Sequence, residues 1–151
     1  MKDVFNVKRS ADSDDVLKQL NGQFKNVINV TSADVILEDV DSGSVVFTAI
    51  SGSSDIAITL PAPANGLYFT VINAVTPSGT GDAVITPVTA DTIVAMGGAD
   101  SGADGPTNLL ADTVTIEAAS IGGERLDLVS DDTYWYCYAH QQAVGSVTFA
   151  G

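Results

Sequence analysis

Asp55–Asn73, DIAITLPAPANGLYFTVIN, is the stretch whose reading decides the fold. Ile56, Ile58 and Leu60 alternate with Ala57 and Thr59, the period of a strand with one buried face. Pro61 and Pro63 then remove ladder donors, and Asn65-Gly66 supplies a turn that tolerates positive φ. The chain resumes as Leu67-Tyr68-Phe69-Thr70-Val71-Ile72, β-branched and aromatic throughout. The reading is strand, stiff turn, strand.

The same pattern runs outward in both directions. Candidate strands are Val35–Glu38, Ser44–Ile50, Asp55–Leu60, Leu67–Asn73, Ala83–Pro87 and Thr92–Met96, then Thr113–Ala118, Arg125–Val129, Thr133–His140 and Ser146–Ala150. Turn signals separate them: Asp41-Ser42-Gly43, Ser51-Gly52-Ser53, Ser78-Gly79-Thr80-Gly81, Gly122-Gly123 and Asp131-Asp132. Many short strands at close intervals predict an antiparallel β-sandwich or jelly-roll-like domain over residues 27–151 rather than βαβ units. The echo between ITLPAPA and ITPVTAD is too short to be read as a repeat. Gly97–Leu110, rich in Gly, Ala, Asp and Ser, reads as a surface loop.

Residues 1–26 read as an arm with a short helix. Ser13 caps it, Asp14 and Asp15 suit its positive end, and Val16, Leu17, Leu20 and Phe24 fall on one side. Gly22 weakens its interior. So short a helix needs a surface, either its own domain or a partner.

With 151 residues the chain fits one domain that buries a core without metal or disulfide support. Only 17% of residues are charged and 45% are hydrophobic, which excludes a disordered body. Cys137 is the single cysteine, so no internal disulfide forms, and it reads as core filler. No apolar run suits a signal peptide or a membrane span. The net charge of −13 is unevenly placed. Residues 1–25 carry five of the six basic residues against four acids, a net +1, whereas residues 26–151 carry Arg125 against fifteen acids. Such an acidic body repels phosphate backbones, so neither nucleic acid nor membrane is the expected partner.

Chemistry-bearing residues are sparse. His140 is the only histidine and cannot share a metal with Cys137, which points to the opposite strand face. No serine stands in a G-x-S-x-G elbow. The acids sit mostly in turns, where Asp bonds its own backbone. Asp100–Gly105 lacks the third-position acid and distal Glu of an EF-hand. No catalytic, cofactor or metal residue is therefore assigned, and the expectation is a protein that is not an enzyme. Tyr134, Tyr136 and Tyr138 alternate with Trp135 and Cys137; with the latter pair in the core, three tyrosines are left for a partner surface. Sugar stacking is the less supported use of that row.

Ile58-Thr59-Leu60-Pro61, Gly66–Asn73, Asp91-Thr92-Ile93 and Leu126–Tyr136, taken in order, resemble small β-domains of tailed-phage virion proteins, found in capsid decoration (cement) proteins and in tail or fibre parts. The resemblance covers roughly residues 55–140, with Asp131-Asp132 standing where an Asp-Gly turn is expected. It implies a virion structural protein, made in the host cytoplasm, that binds the capsid surface as a homotrimer, with the major capsid protein or neighbouring virion proteins as partners. The alternative it implies is a tail or fibre module that binds a host receptor or glycan. The expected interface comprises Lys8, Arg9, Leu17, Leu20 and Phe24 of the arm with Tyr134, Tyr136 and Tyr138.

Overall fold

The computed structural model describes residues 26–90, 92–96 and 110–151. The chain there is almost entirely β: β1 Val27–Val30, β2 Val35–Ile36, β3 Val45–Thr48, β4 Ile56–Leu60, β5 Tyr68–Asn73, β6 Ala83–Pro87, β7 Ile93–Ala95, β8 Leu110–Ala111, β9 Thr113–Ile116, β10 Arg125–Ser130, β11 Trp135–His140 and β12 Val147–Ala150. Each of the ten strands expected from alternation is present, most of them trimmed by a residue or two at their ends. Two were not anticipated: β1, and the two-residue β8 beside the long loop. The helix of the expected arm and most of Gly97–Leu110 lie outside the described residues.

The expected antiparallel order is incorrect. Both sheets are mixed: a seven-stranded sheet runs β1-β3-β5-β10-β11-β7-β8 and a five-stranded sheet runs β12-β9-β6-β4-β2. Five pairings are parallel, namely β1 with β3, β3 with β5, β2 with β4, β4 with β6, and β11 with β7. The cause lies in the connections. From β1 to β6 successive strands alternate between the two sheets, so each strand meets its next neighbour only after a full circuit. Pro61 and Pro63 keep the β4–β5 link extended and carry it across to the other sheet instead of closing a hairpin. Gly66, at φ +85°, then turns the chain into β5.

The circuits stack closely at one corner. The hydrogen bonds from the Thr80 and Gly81 N–H groups to the Gly52 carbonyl tie one circuit to the next. A Cβ on Gly81 would lie 2.2 Å from the Ser54 oxygen, so only glycine permits this approach. An aspartate precedes each strand of the five-stranded sheet in this region, and its carboxylate holds a backbone N–H further along. Asp34 accepts from Ala57, Asp55 from Asp82, and Asp82 from Ala118. The echo in sequence thus has a structural counterpart: Asp55-Ile-Ala-Ile-Thr lies beside Asp82-Ala-Val-Ile-Thr, with Ile58 opposite Ile85 and Thr59 opposite Thr86.

Both sheets contribute to one buried cluster that includes Ile58, Leu60, Ile85, Val114, Phe69, Val71, Leu126, Leu128 and Trp135. Trp135 is fully buried; its ring lies 5.7 Å from that of Phe69, and its Nε1–H donates to the Pro61 carbonyl at 3.1 Å. Glu124 is also fully buried, and accepts from the Ile121 and Gly122 backbone N–H groups and from Asn73. Trp135→Ala should cost about 3–5 kcal/mol of stability, because the cavity opens between two sheets that cannot collapse independently. Denaturant unfolding measures the loss, and native Trp135 fluorescence should show the blue-shifted emission of a dry indole.

Candidate partner-binding face

The outward side chains of the seven-stranded sheet form three rows fixed by strand register. The first is Asn29, Phe47, Ile72, Arg125 and His140; the second is Val27, Val45, Thr70, Asp127 and Tyr138. The third is Tyr68, Val129, Tyr136, Val94 and Leu110. Ten of these fifteen side chains are aliphatic or aromatic. Val27, Tyr68, Leu110, Val129 and Tyr138 are each at least 40% exposed. The seven strands hold 31 residues, which at about 4.8 Å between strands and about 3.3 Å per residue give a face on the order of 500 Å². That is at the upper end for an apolar patch on a monomer, which runs to about 300–600 Å².

Alternation explains the face. Val45-Val46-Phe47 and Phe69–Ile72 are apolar on both sides of the strand, a pattern that belongs to parallel strands covered on both faces. Here one side enters the core, and no described residue covers the other. The outer side of the five-stranded sheet differs: exposed Ile36 stands at its edge, but Ala57, Thr59, Val84, Thr86, Thr115 and Thr148 make the rest a smaller and more polar surface.

Charge on the apolar face is confined to one cluster. Arg125 donates twice to Asp127 Oδ1, at 3.0 and 2.8 Å, and Thr70 Oγ1 donates to the same oxygen at 3.0 Å. His140 Nε2 lies 3.3 Å from Asp127 Oδ2. These groups are a third to a half exposed, so the pairs add little stability. Their effect is to neutralise the face. Asp127 is the only acid within a described strand, and it is met by the only described Arg or Lys. The other described acids lie in the connections between strands.

Of the expected interface residues, the structure brings Tyr136 and Tyr138 together on this face. Tyr134 stands apart, half-buried in the β10–β11 turn, where its backbone N–H donates to Asp131. Lys8, Arg9, Leu17, Leu20 and Phe24 lie outside the described residues. Sequence reasoning missed Val27, Phe47, Ile72 and Val129, which it assigned to no face. The doubly apolar runs were the signal that could have found them.

The β10–β11 turn borders the face and explains the Asp131-Asp132 pair. Asp131 Oδ1 accepts the Thr133 and Tyr134 N–H groups, each at 2.7 Å, and its Oδ2 accepts the Tyr136 hydroxyl at 2.8 Å. Asp132 accepts the Asn65 N–H at 3.1 Å, which ties this turn to the stiff link after β4. A glycine there would supply conformational freedom but neither carboxylate. The Tyr134 N–H, followed by those of Thr133 and the Tyr136 hydroxyl, holds the Asp131 carboxyl below its ordinary value of 3.8. The bond to Asp131 raises the Tyr136 phenol above 10.0. Burial, aided by the charge of Asp127, pushes the Cys137 thiol upward, which leaves it protonated and inert.

Two grooves of about 330 and 190 Å³ flank the β1–β2 connection. They share Thr31 and Ser32, and the larger adds Ser51, Ser53, Ser54 and Asp55, hydroxyls without a histidine or cysteine to activate them. Among the described residues no three His, Cys, Asp or Glu side chains converge on a metal position. Comparison with protein-family models, curated proteins and solved structures returns no match.

The turn sets limits on the pH range of stability. The native chain holds a proton at Asp131 less readily than the unfolded chain does. Its contribution is therefore present above about pH 4 and is lost as pH falls through the lowered pKa. Tyr136 holds its proton more tightly when folded, so its contribution is complete below about pH 10 and is lost as pH rises through the raised pKa. Thermal melts across pH should show both limbs. Tyr136→Phe should flatten the alkaline one, and Asp131→Asn the acid one.

Proposed function

We propose that this chain is a non-enzymatic structural protein of a tailed-phage virion, a capsid decoration protein that binds the head as a homotrimer. The observation that carries the reading is the outer face of the seven-stranded sheet: broad, apolar, internally neutralised and uncovered by any described residue. Copies of a strongly acidic protein repel one another, and this is the surface on which two copies can meet without opposing like charges. Its area approaches the roughly 800 Å² per partner of a standard interface, which suits closure into a small ring with neighbouring loops adding contact. The two sheets sharing one core are read as a sandwich, as the resemblance implies. Residues 1–25, with five of the six basic residues, are assigned to attachment at the shell, and the acidic connections to the solvent side.

The winding of β1 to β6 favours a second reading, a tail or fibre module. β1 and β2 each pair on one side only, so the stack of circuits ends in open strand edges that further circuits could extend.

Val129→Asp with Tyr138→Asp tests the first reading, since both residues are about half exposed and neither is needed for the core. The double variant should keep its β circular dichroism but sediment as a monomer and fail to co-sediment with phage heads. Co-sedimentation with tails rather than heads would favour the second reading. A double variant that still trimerises would remove this face from the mechanism.

A further inference from the structure

We propose that residues 4–12 close the open edge of both sheets in their own chain, as one further circuit stacked on β1 and β2. Among the described residues β1 ends the seven-stranded sheet and β2 ends the five-stranded one. Alternation fixes which backbone groups face outward there. The Asn26 and Val30 carbonyls accept from Val45 and Ala49, so the peptide groups of Val27 and Asn29 point away from β3. The Leu37 N–H donates to the Thr59 carbonyl, so those of Ile36 and Asp34 point away from β4. An edge of this kind is a template for another strand. The side chains are unfinished too: Ile28 and Val35 are only partly buried against the core, and both line the groove of about 190 Å³.

The sequence supplies an occupant that fits this edge. Val4-Phe5-Asn6-Val7 repeats Val27-Ile28-Asn29-Val30, and Ser10-Ala11-Asp12 repeats Ser32-Ala33-Asp34, with one residue more in the first link. The two copies stand 23 and 22 residues apart. Neighbouring circuits of the described chain stand 18, 25, 23 and 27 residues apart in register, so this is the spacing of stacked circuits. The echo of Asp55–Thr59 in Asp82–Thr86 likewise marks strands that lie side by side. In the repeated register Phe5 and Val7 turn inward over Ile28 and the buried Val30, and Val4 joins exposed Val27 on the apolar face. Asp12 aligns with Asp34 and takes its outward N–H, as Asp55 takes the N–H of Asp82. Residues 13–26 make the return to β1. So short a tether holds the segment at a high effective concentration beside its own edge, which favours it over the same segment of a second copy. Lys8 and Arg9 fall in a link matching that of exposed Thr31 and Ser32, where they stay open for attachment. None of this depends on how copies meet.

Disulfide trapping in the full 151-residue chain tests the circuit, with N6C/N29C as the aligned pair and R9C/N29C as a pair about 10 Å out of register. Cys137 is buried and takes no part. Under mild oxidation the aligned pair should close within one chain at least about tenfold faster than the offset pair. Non-reducing electrophoresis and the mass of the linked peptides read the result. Hydrogen exchange gives a second measurement that needs no new cysteine. The Val27 and Asn29 amides should exchange at least about tenfold more slowly in the wild type than in Phe5→Asp, with those of Leu126 and Leu128 unchanged. An aligned pair that fails to close, closes no faster than the offset pair, or links only separate chains would overturn the proposal. So would Val27 and Asn29 amides that exchange freely in the wild type, or that keep their protection in Phe5→Asp.

Discussion

Trp135 fastens the two sheets to each other. Its strand, β11, belongs to the seven-stranded sheet, and its indole N–H donates to the carbonyl of Pro61, at the end of a strand in the other sheet. A buried indole needs a partner for that N–H, and a proline carbonyl is available because the link it begins is neither helix nor ladder. The same link is held from the opposite side: Ser130 and Asp132 bond Ala64 and Asn65. A segment with no regular structure thereby becomes the fixed crossing on which both sheets are aligned, and the Asp131 turn beside it positions Tyr136.

The alternation of strands between sheets has a consequence at the surface. Parallel neighbours arise from circuits rather than hairpins, and of these β3 and β5 carry apolar residues on both faces. The inner faces meet in the core. On the outer face of the seven-stranded sheet, the same composition leaves a broad apolar surface with one neutralised cluster near its middle. Fold and proposed function are thus linked by topology, since the winding that builds the core also builds the face.

Strand positions were legible in the sequence because alternation and turn residues are local. Ile56–Leu60, Tyr68–Asn73 and Trp135–His140 emerge almost as read, and Trp135 takes the core place its alternation implied. Pairing was not legible. Asn65-Gly66 read as a stiff turn between two strands, but the link crosses to the other sheet, and the partners of β4 are 23 and 27 residues away in register. The echo of ITLPAPA in ITPVTAD was the available clue to those circuits and was too short to read alone. Of the face, Tyr136 and Tyr138 were found through the aromatic cluster. Phe47, Ile72 and Val129 were missed, because an outward apolar residue gains meaning only when register sets it beside others like it. The Arg125–Asp127–His140 cluster depends on the same register and on side-chain geometry that spacing does not encode.

The central claim is that the outer face of the seven-stranded sheet joins copies of this chain. Cryo-electron microscopy of the assembled protein tests it most directly. The account predicts three-fold clusters of subunits in which Val129 and Tyr138 lie against a neighbouring copy. Clusters joined through the five-stranded sheet, or single subunits with the Val129–Tyr138 face open to solvent, would contradict it.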